Sequence, residues 1–370
     1  MDKVLEEIKN DLKKGDIEQK VIASKMSTTS GNLTHKLSGK NDMSFLQFYI
    51  LVSTIYDDKN IIQRMIKVFI QHTKKNENIK DCLEWSFQNG ENEIFEIALD
   101  KVDKETANVY ELLMLRNKKK IDGPELLEKV EMMKIGKVKQ KDMEVMLQII
   151  SLYAWYDTQN YNLNSVYASF TLKRIALLKD GFLKDAYKAR VMEITASANF
   201  KSDQVELAKG LAEKLIQEID KDVFPLIVNS MYNLLAEIHV FSDPRKSIEY
   251  NRKALNMFEG LKFGSYQYRE HSLKATHDFI KITNNIFDGL YLNDRAEAAH
   301  YWAKQTDRGS KKKALSILEE IENNKTLSPM QLYYRYLATG NRRDLEVARK
   351  EFYIKGEFFY CQLFENADNY

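Results

Sequence analysis

Between Gln19 and Asn41 the chain carries four lysines, one histidine and no acidic residue, although the 370-residue sequence as a whole is nearly balanced at a formal net charge of +2. A local surplus of cations is what phosphate neutralisation requires, so nucleic-acid contact is expected from this stretch and not from the bulk charge. Thr28, Thr29, Ser30 and Asn32 are short polar side chains that can reach base edges in a major groove. His35 shares their side, and Lys36 and Lys40 are placed to meet the phosphate backbone.

Two short helices must position these groups. Ile17, Val21, Ile22 and Met26 fall near one helical face, with Ala23 small enough for a second helix to cross closely. The run "STTS" supplies a turn and an N-cap, since Ser and Thr oxygens accept the unpaired amides that open a helix. Leu33 and Leu37 then point inward at i, i+4, and Gly39 takes the C-cap position. The pattern resembles a repressor-type helix-turn-helix, with Gln19, Ala23, Leu33 and Gly39 in register and Ser27 where a glycine is usual. One such unit buries little area, so specific binding to double-stranded DNA implies a homodimer on a symmetric operator.

With only 4 prolines and 14 glycines, the rest of the chain has few breakers, and its 30% charged and 44% hydrophobic residues suit helices of roughly a dozen residues joined by short polar turns. Residues 232–258 are similar to a tetratricopeptide repeat: Leu234, the turn at 242–244, Ser247 and Ala254 occupy its apolar and small positions, although Leu235 stands where glycine is usual. Weaker copies follow at 298–322, with Ala314 and Leu318, and at 331–352. The expected fold is all-α, an N-terminal helix-turn-helix domain followed by a right-handed α-solenoid of degenerate tetratricopeptide-like repeats. Its divisions are a DNA-binding domain at 1–60, a connector at 61–80, a peptide-binding solenoid at 81–350 and a capping and dimerisation segment at 351–370.

Stacked helical pairs leave a concave groove, and grooves of this kind hold extended peptides. Asn229 and Asn233 at i, i+4, with Asn199 on an earlier helix, carry amides that both donate to and accept from a peptide backbone. The last segment is dense in aromatics (Phe352, Tyr353, Phe358, Phe359, Tyr360, Phe364), which points to a contact between two chains rather than a cap within one.

Catalytic signatures are missing. No phosphate-binding loop, dinucleotide fingerprint, zinc-protease or nucleophile-elbow motif occurs, so no enzymatic activity is expected and no cofactor is called for. Cys82 and Cys361 are far apart, and His271 and His277 lie six residues apart, which leaves no metal-ligand spacing and suits a reducing compartment. The charged start and the lack of a spanning apolar stretch give a cytoplasmic protein with no membrane partner.

The motifs "AEAAHYWAKQTDRGSKKKALSILEEIE", "LYYRYLATG" and "FYIKGEFFYCQLFEN", together with the domain order, resemble the arbitrium receptor (AimR) family of temperate phages, peptide-sensing regulators related to those of Gram-positive bacteria. The resemblance implies a dimeric regulator in the cytoplasm of a bacterial host. Free protein would activate transcription from a phage promoter, and an imported hexapeptide would suppress this, favouring lysogeny over lysis. It also implies acidic residues that pair with an arginine of the peptide, which local similarity places at Glu297 and Glu357. A second reading keeps the groove and discards DNA: a peptide-gated scaffold acting on a signalling protein.

Overall fold

All four prolines stand in the first turn of a helix, Pro124, Pro225, Pro244 and Pro329. The amide a proline lacks would be unpaired there in any case, so the residue that breaks helices here starts them. The computed structural model describes residues 1–15, 17–259 and 267–365, and the secondary structure of those residues is helical throughout.

The N-terminal helices are α1 (Asp2–Lys14), α2 (Gln19–Lys25), α3 (Ser30–Leu37), α4 (Phe45–Ile55) and α5 (Lys59–His72). Pairs then follow: α6 (Asn76–Gln88) with α7 (Asn92–Leu99), α8 (Lys104–Asn117) with α9 (Gly123–Ile135), and α10 (Lys141–Asp157) with α11 (Tyr161–Ala176). The series continues through α12 (Phe182–Lys201) with α13 (Val205–Glu218), α14 (Pro225–Ile238) with α15 (Pro244–Glu259), and α16 (Gln267–Thr283). It ends with α17 (Arg295–Lys304), α18 (Arg308–Glu322), α19 (Pro329–Thr339), α20 (Arg342–Ile354), a 3-10 turn at Phe358–Cys361 and α21 (Gln362–Glu365).

From α8 to α20 each helix packs on the next, and α8, α10, α12, α14 and α16 also pack on one another in that order. These first members of the pairs form one continuous layer, which is how an α-solenoid presents a shared inner face. Small residues fall at the crossings as the repeat pattern predicts: Ala254 and Ala314 are fully buried, and the Ser247 hydroxyl donates to the Ala236 carbonyl at 2.6 Å.

Three expectations are corrected. Residues 61–80 are no connector, because α5 and α6 bury Ile62, Ile66, Phe69, Ile79 and Lys80, and only residues 73–75 turn between them. The polar run "QHTKKNENIK" hides its apolar partners one helical turn away on either side. The aromatic C-terminus caps its own chain: Phe359 meets Phe200 at 4.4 Å between ring centres, Tyr360 meets Phe279 at 6.2 Å and Phe364 meets Tyr333 at 5.6 Å. Tyr353, Ile354 and Phe358 stay exposed beside them. Residues 366–370 of the expected dimerisation segment lie outside the described residues.

Nor is the N-terminal part a separate body. Phe45 and Tyr49 of α4 pack on Trp85 of α6 at 5.6 and 4.8 Å, so a single core runs from Val4 to Phe364.

Candidate functional site

The expected turn lies between α2 and α3, and Ser27 in it adopts φ 49°, the left-handed region that favours glycine. Thr29 caps α3, its hydroxyl oxygen accepting from the Asn32 amide at 3.2 Å. Asn32 is tied on both sides, donating from Nδ2 to Thr28 Oγ1 (2.8 Å) and accepting from Asn41 Nδ2 (3.0 Å). Gly39 follows the helix at φ 73°. Thr29, Ser30, His35 and Lys40 are exposed, and Thr28 and Asn32 are half-buried beside them.

Lys36 departs from expectation. It is buried, and its ammonium donates to the Asp42 carbonyl at 2.6 Å. Burial, followed by the repulsion of Lys75, lowers its pKa. It sits between Leu33 and Leu37 on a helix of only eight residues, so the aliphatic stem follows the inward face while the head ties down the loop that leaves it. The outward cations of this surface are Lys20, Lys25 and Lys40.

On the inner face of the solenoid two clefts, of about 360 and 320 Å³, adjoin and share Tyr156, Ser197 and Arg269. That is the volume range of a ligand site, roughly 300–1,000 Å³. Their walls come from the end of α6 and from α8, α10, α12, α14 and α16, the last five being the inner layer of the stack. In the first cleft Arg190 Nε donates to Glu84 Oε1 at 2.6 Å and Nη2 to Oε2 at 3.2 Å. Arg190 Nη1 also donates to the Tyr153 hydroxyl (3.2 Å), and Tyr110 and Gln88 both donate to Glu84. Burial acts against the charge of Arg190, but the Glu84 carboxylate raises its pKa well above the ordinary value. A fully bonded pair of this kind is rigid and shapes the floor.

At the far end of the groove Asn233 Nδ2 donates to Glu237 (2.8 Å), which also accepts from Tyr360 (2.5 Å). Lys201 lies over the Tyr360 ring and 3.6 Å from Glu357. Two buried acceptors in the walls, Gln88 Oε1 and Asn233 Oδ1, have no hydrogen-bond partner among the described residues. A buried polar atom left this way is costly unless a ligand N–H or water meets it.

Of the five residues expected to hold a peptide, Asn229 and Asn233 line the groove. Asn229 also donates to the Ala254 carbonyl at 2.7 Å, which ties α14 to α15. Glu357 is not in the groove walls but lies 3.6 Å from Lys201, which is. Asn199 turns the other way along α12 and accepts from Ser165 of α11 at 2.7 Å, because its position on the 3.6-residue period faces that helix. Glu297 is likewise outside the groove. It is buried between α17 and α19, accepting from Tyr334 at 2.8 Å with His300 Nδ1 3.2 Å from its other oxygen, and burial pushes its carboxyl up to about 8. Burial also lowers His300 well below the ordinary value, so this is a neutral contact and not an ion pair.

Sequence reasoning missed Glu84, Gln88, Arg190, Glu237 and Arg269. A signal existed for two of them: Glu84 in "CLEWSF" and Arg190 in "YKARVME" place a charge at an inward position of an apolar period. Among the described residues no His, Cys, Asp and Glu cluster could hold a metal, and no helix is long and apolar enough to cross a membrane.

The fold matches two solved structures at 17% identity. Selenomethionine phAimR gives a TM-score of 0.70, with 97% of this chain and 94% of that one covered. A phAimR–ligand structure gives 0.67, covering 81% and 90%. An uncharacterised protein of Bacillus anthracis is 28% identical over 246 residues, 65% of this chain and 90% of its own length. The model of the family described as AimR transcriptional regulator-like matches residues 61–367, which takes in all of the groove. The chain belongs to that family of regulators, which is not one of enzymes.

Proposed function

We propose that this chain is a peptide-controlled, DNA-binding transcription regulator of the phage lysis-lysogeny decision. The observation that carries the reading is the inner groove, with the unpartnered acceptors Gln88 Oε1 and Asn233 Oδ1 in its walls, in a chain of this family. A short peptide, a hexapeptide by the family resemblance, lies along α12 and α14 and supplies backbone N–H groups to those acceptors. A cationic peptide side chain has Glu193 and Glu237 within the same walls, with Glu357 beside Lys201 at one end.

DNA binding falls to Thr28, Thr29, Ser30 and Asn32 at the start of α3, with Lys40 on the phosphates and Lys36 holding the following loop in place. A homodimer sets two copies of α3 on a symmetric operator, and the exposed Tyr353, Ile354 and Phe358 offer an apolar face for it. Peptide binding weakens promoter occupancy by favouring a second arrangement of the solenoid.

The test is titration of purified protein against labelled DNA from its own locus, with and without the hexapeptide encoded beside it. Specific binding that the peptide weakens, and that Asn233→Leu makes insensitive to peptide, supports the reading. Tight peptide binding with no DNA preference at any salt concentration removes DNA from it.

A further inference from the structure

α11 carries two apolar faces. Tyr161, Ala168, Thr171 and Ile175 are buried against its neighbours, while Leu163, Val166, Tyr167 and Phe170 on the other side are between 44% and 56% exposed. That second stripe has i, i+3, i+4, i+7 spacing. A helix open to water is ordinarily polar on its outer side, and one that is apolar on both sides is a helix that becomes covered.

The stripe forms one wall of a cleft of about 1100 Å³ between α9, α10 and α11, larger than either part of the peptide groove and sharing no residue with it. Trp155 lies in the cleft with its ring 4.5 Å from that of Tyr167. From Leu163 to Arg174 the wall runs about three helical turns, roughly 16 Å.

Charge around the cleft is lopsided. Its acids are already engaged, Glu131 by Lys134 at 2.7 Å and Glu144 by Arg174. Lys137 has no carboxylate within ion-pair distance among the described residues, and Lys173 rests over the Phe170 ring. The unspent charge is therefore positive.

We propose that the α9–α10–α11 cleft docks an amphipathic helix of a partner protein, apolar at i, i+3, i+4 and i+7 and flanked by carboxylates. An elongated trough between helices accepts a rod rather than a flat bilayer, and anchors at this spacing are how helices enter grooves. A second copy of the chain is disfavoured as occupant, since a two-fold contact would set the same surplus cations against each other. The inference is independent of the peptide groove and of DNA.

The test uses the full chain and two synthetic 18-residue helices, both with the leucine stripe, one flanked by Glu and its isomer flanked by Lys, followed by fluorescence anisotropy. The Glu-flanked helix is expected to bind roughly tenfold or more tightly than the Lys-flanked one. Phe170→Ser is expected to weaken that binding about tenfold, and Val166→Ser, at a site that leaves the core untouched, to act in the same direction. Lys137→Glu with Lys173→Glu is expected to close the gap between the two probes. No binding, or equal binding of both probes, overturns the proposal. So does loss of a dimer on Phe170→Ser, which makes the occupant a second copy, or binding to phosphatidylglycerol vesicles that Phe170→Ser removes.

Discussion

The hydroxyl of Tyr49, in α4 beside α2, donates to the carbonyl of Asp222 at 2.8 Å. Asp222 lies just ahead of α14, the helix that brings Asn229, Asn233 and Glu237 to the groove. Asn89 makes a longer contact, 3.4 Å, to the neighbouring Val223 carbonyl. The N-terminal helices are thus fastened to the start of the helix a peptide would touch.

Tyr49→Phe keeps the ring on Trp85 and deletes the hydroxyl. The expected result is a stability loss of about 1 kcal/mol, peptide affinity within twofold of wild type, and a smaller factor by which peptide changes DNA affinity. Peptide titrations at fixed DNA measure that factor, and an unchanged value would show that coupling runs elsewhere.

Breaking the Glu84–Arg190 pair leaves a buried charge alone. Glu84→Gln and Arg190→Met are each expected to cost roughly 3–5 kcal/mol, and the double variant less than their sum. Denaturant midpoints for the three variants decide it, with additive losses counting against a coupled pair.

The Glu297 and His300 pair gives a pH signature. The folded carboxyl titrates at about 8 against an ordinary 4.5, so the native state holds its proton longer. Its contribution is fully present below 4.5 and is lost as pH rises to about 8. His300, lowered well below 6.5, acts oppositely below 6.5, where the unfolded chain takes up a proton that the folded one refuses. The two effects offset one another between 4.5 and 6.5, and above 6.5 the Glu297 effect stands alone. Stability is expected to fall with pH between 6.5 and 8 at up to about 1.4 kcal/mol per unit. In Glu297→Gln the fall above about pH 7 should be gone, leaving below it only the contribution of Asp81, whose carboxyl burial raises to about 7, as urea midpoints across that window would reveal.

Lys36 and Lys40 should separate in salt titrations. Lys40→Ala is expected to reduce the slope of log K against log salt by about one, the signature of a lost phosphate contact. Lys36→Met should leave that slope alone and lower the melting temperature instead, because its ammonium holds the Asp42 carbonyl. Equal slope losses in both variants would return Lys36 to the phosphates.

Residues close together in sequence determined a great deal. Thr29 as a cap, Gly39 beyond α3, Ser27 at a glycine-like turn and the small Ala254 and Ala314 at helix crossings all follow from interactions within one or two turns. The succession of paired helices follows from the same short-range rules. What a helix face meets is decided elsewhere in the chain. Glu297 and Glu357 look equivalent as isolated glutamates, yet one is buried on Tyr334 and the other pairs with Lys201. Asn199 and Asn233 look interchangeable, and only Asn233 reaches the groove. The C-terminal aromatics read as an open apolar end, and became a cap when Phe359 and Tyr360 found Phe200 and Phe279. Helical period is a property of neighbouring residues, whereas burial, partner and charge state depend on packing between segments up to hundreds of residues apart, and only the tertiary structure supplies those.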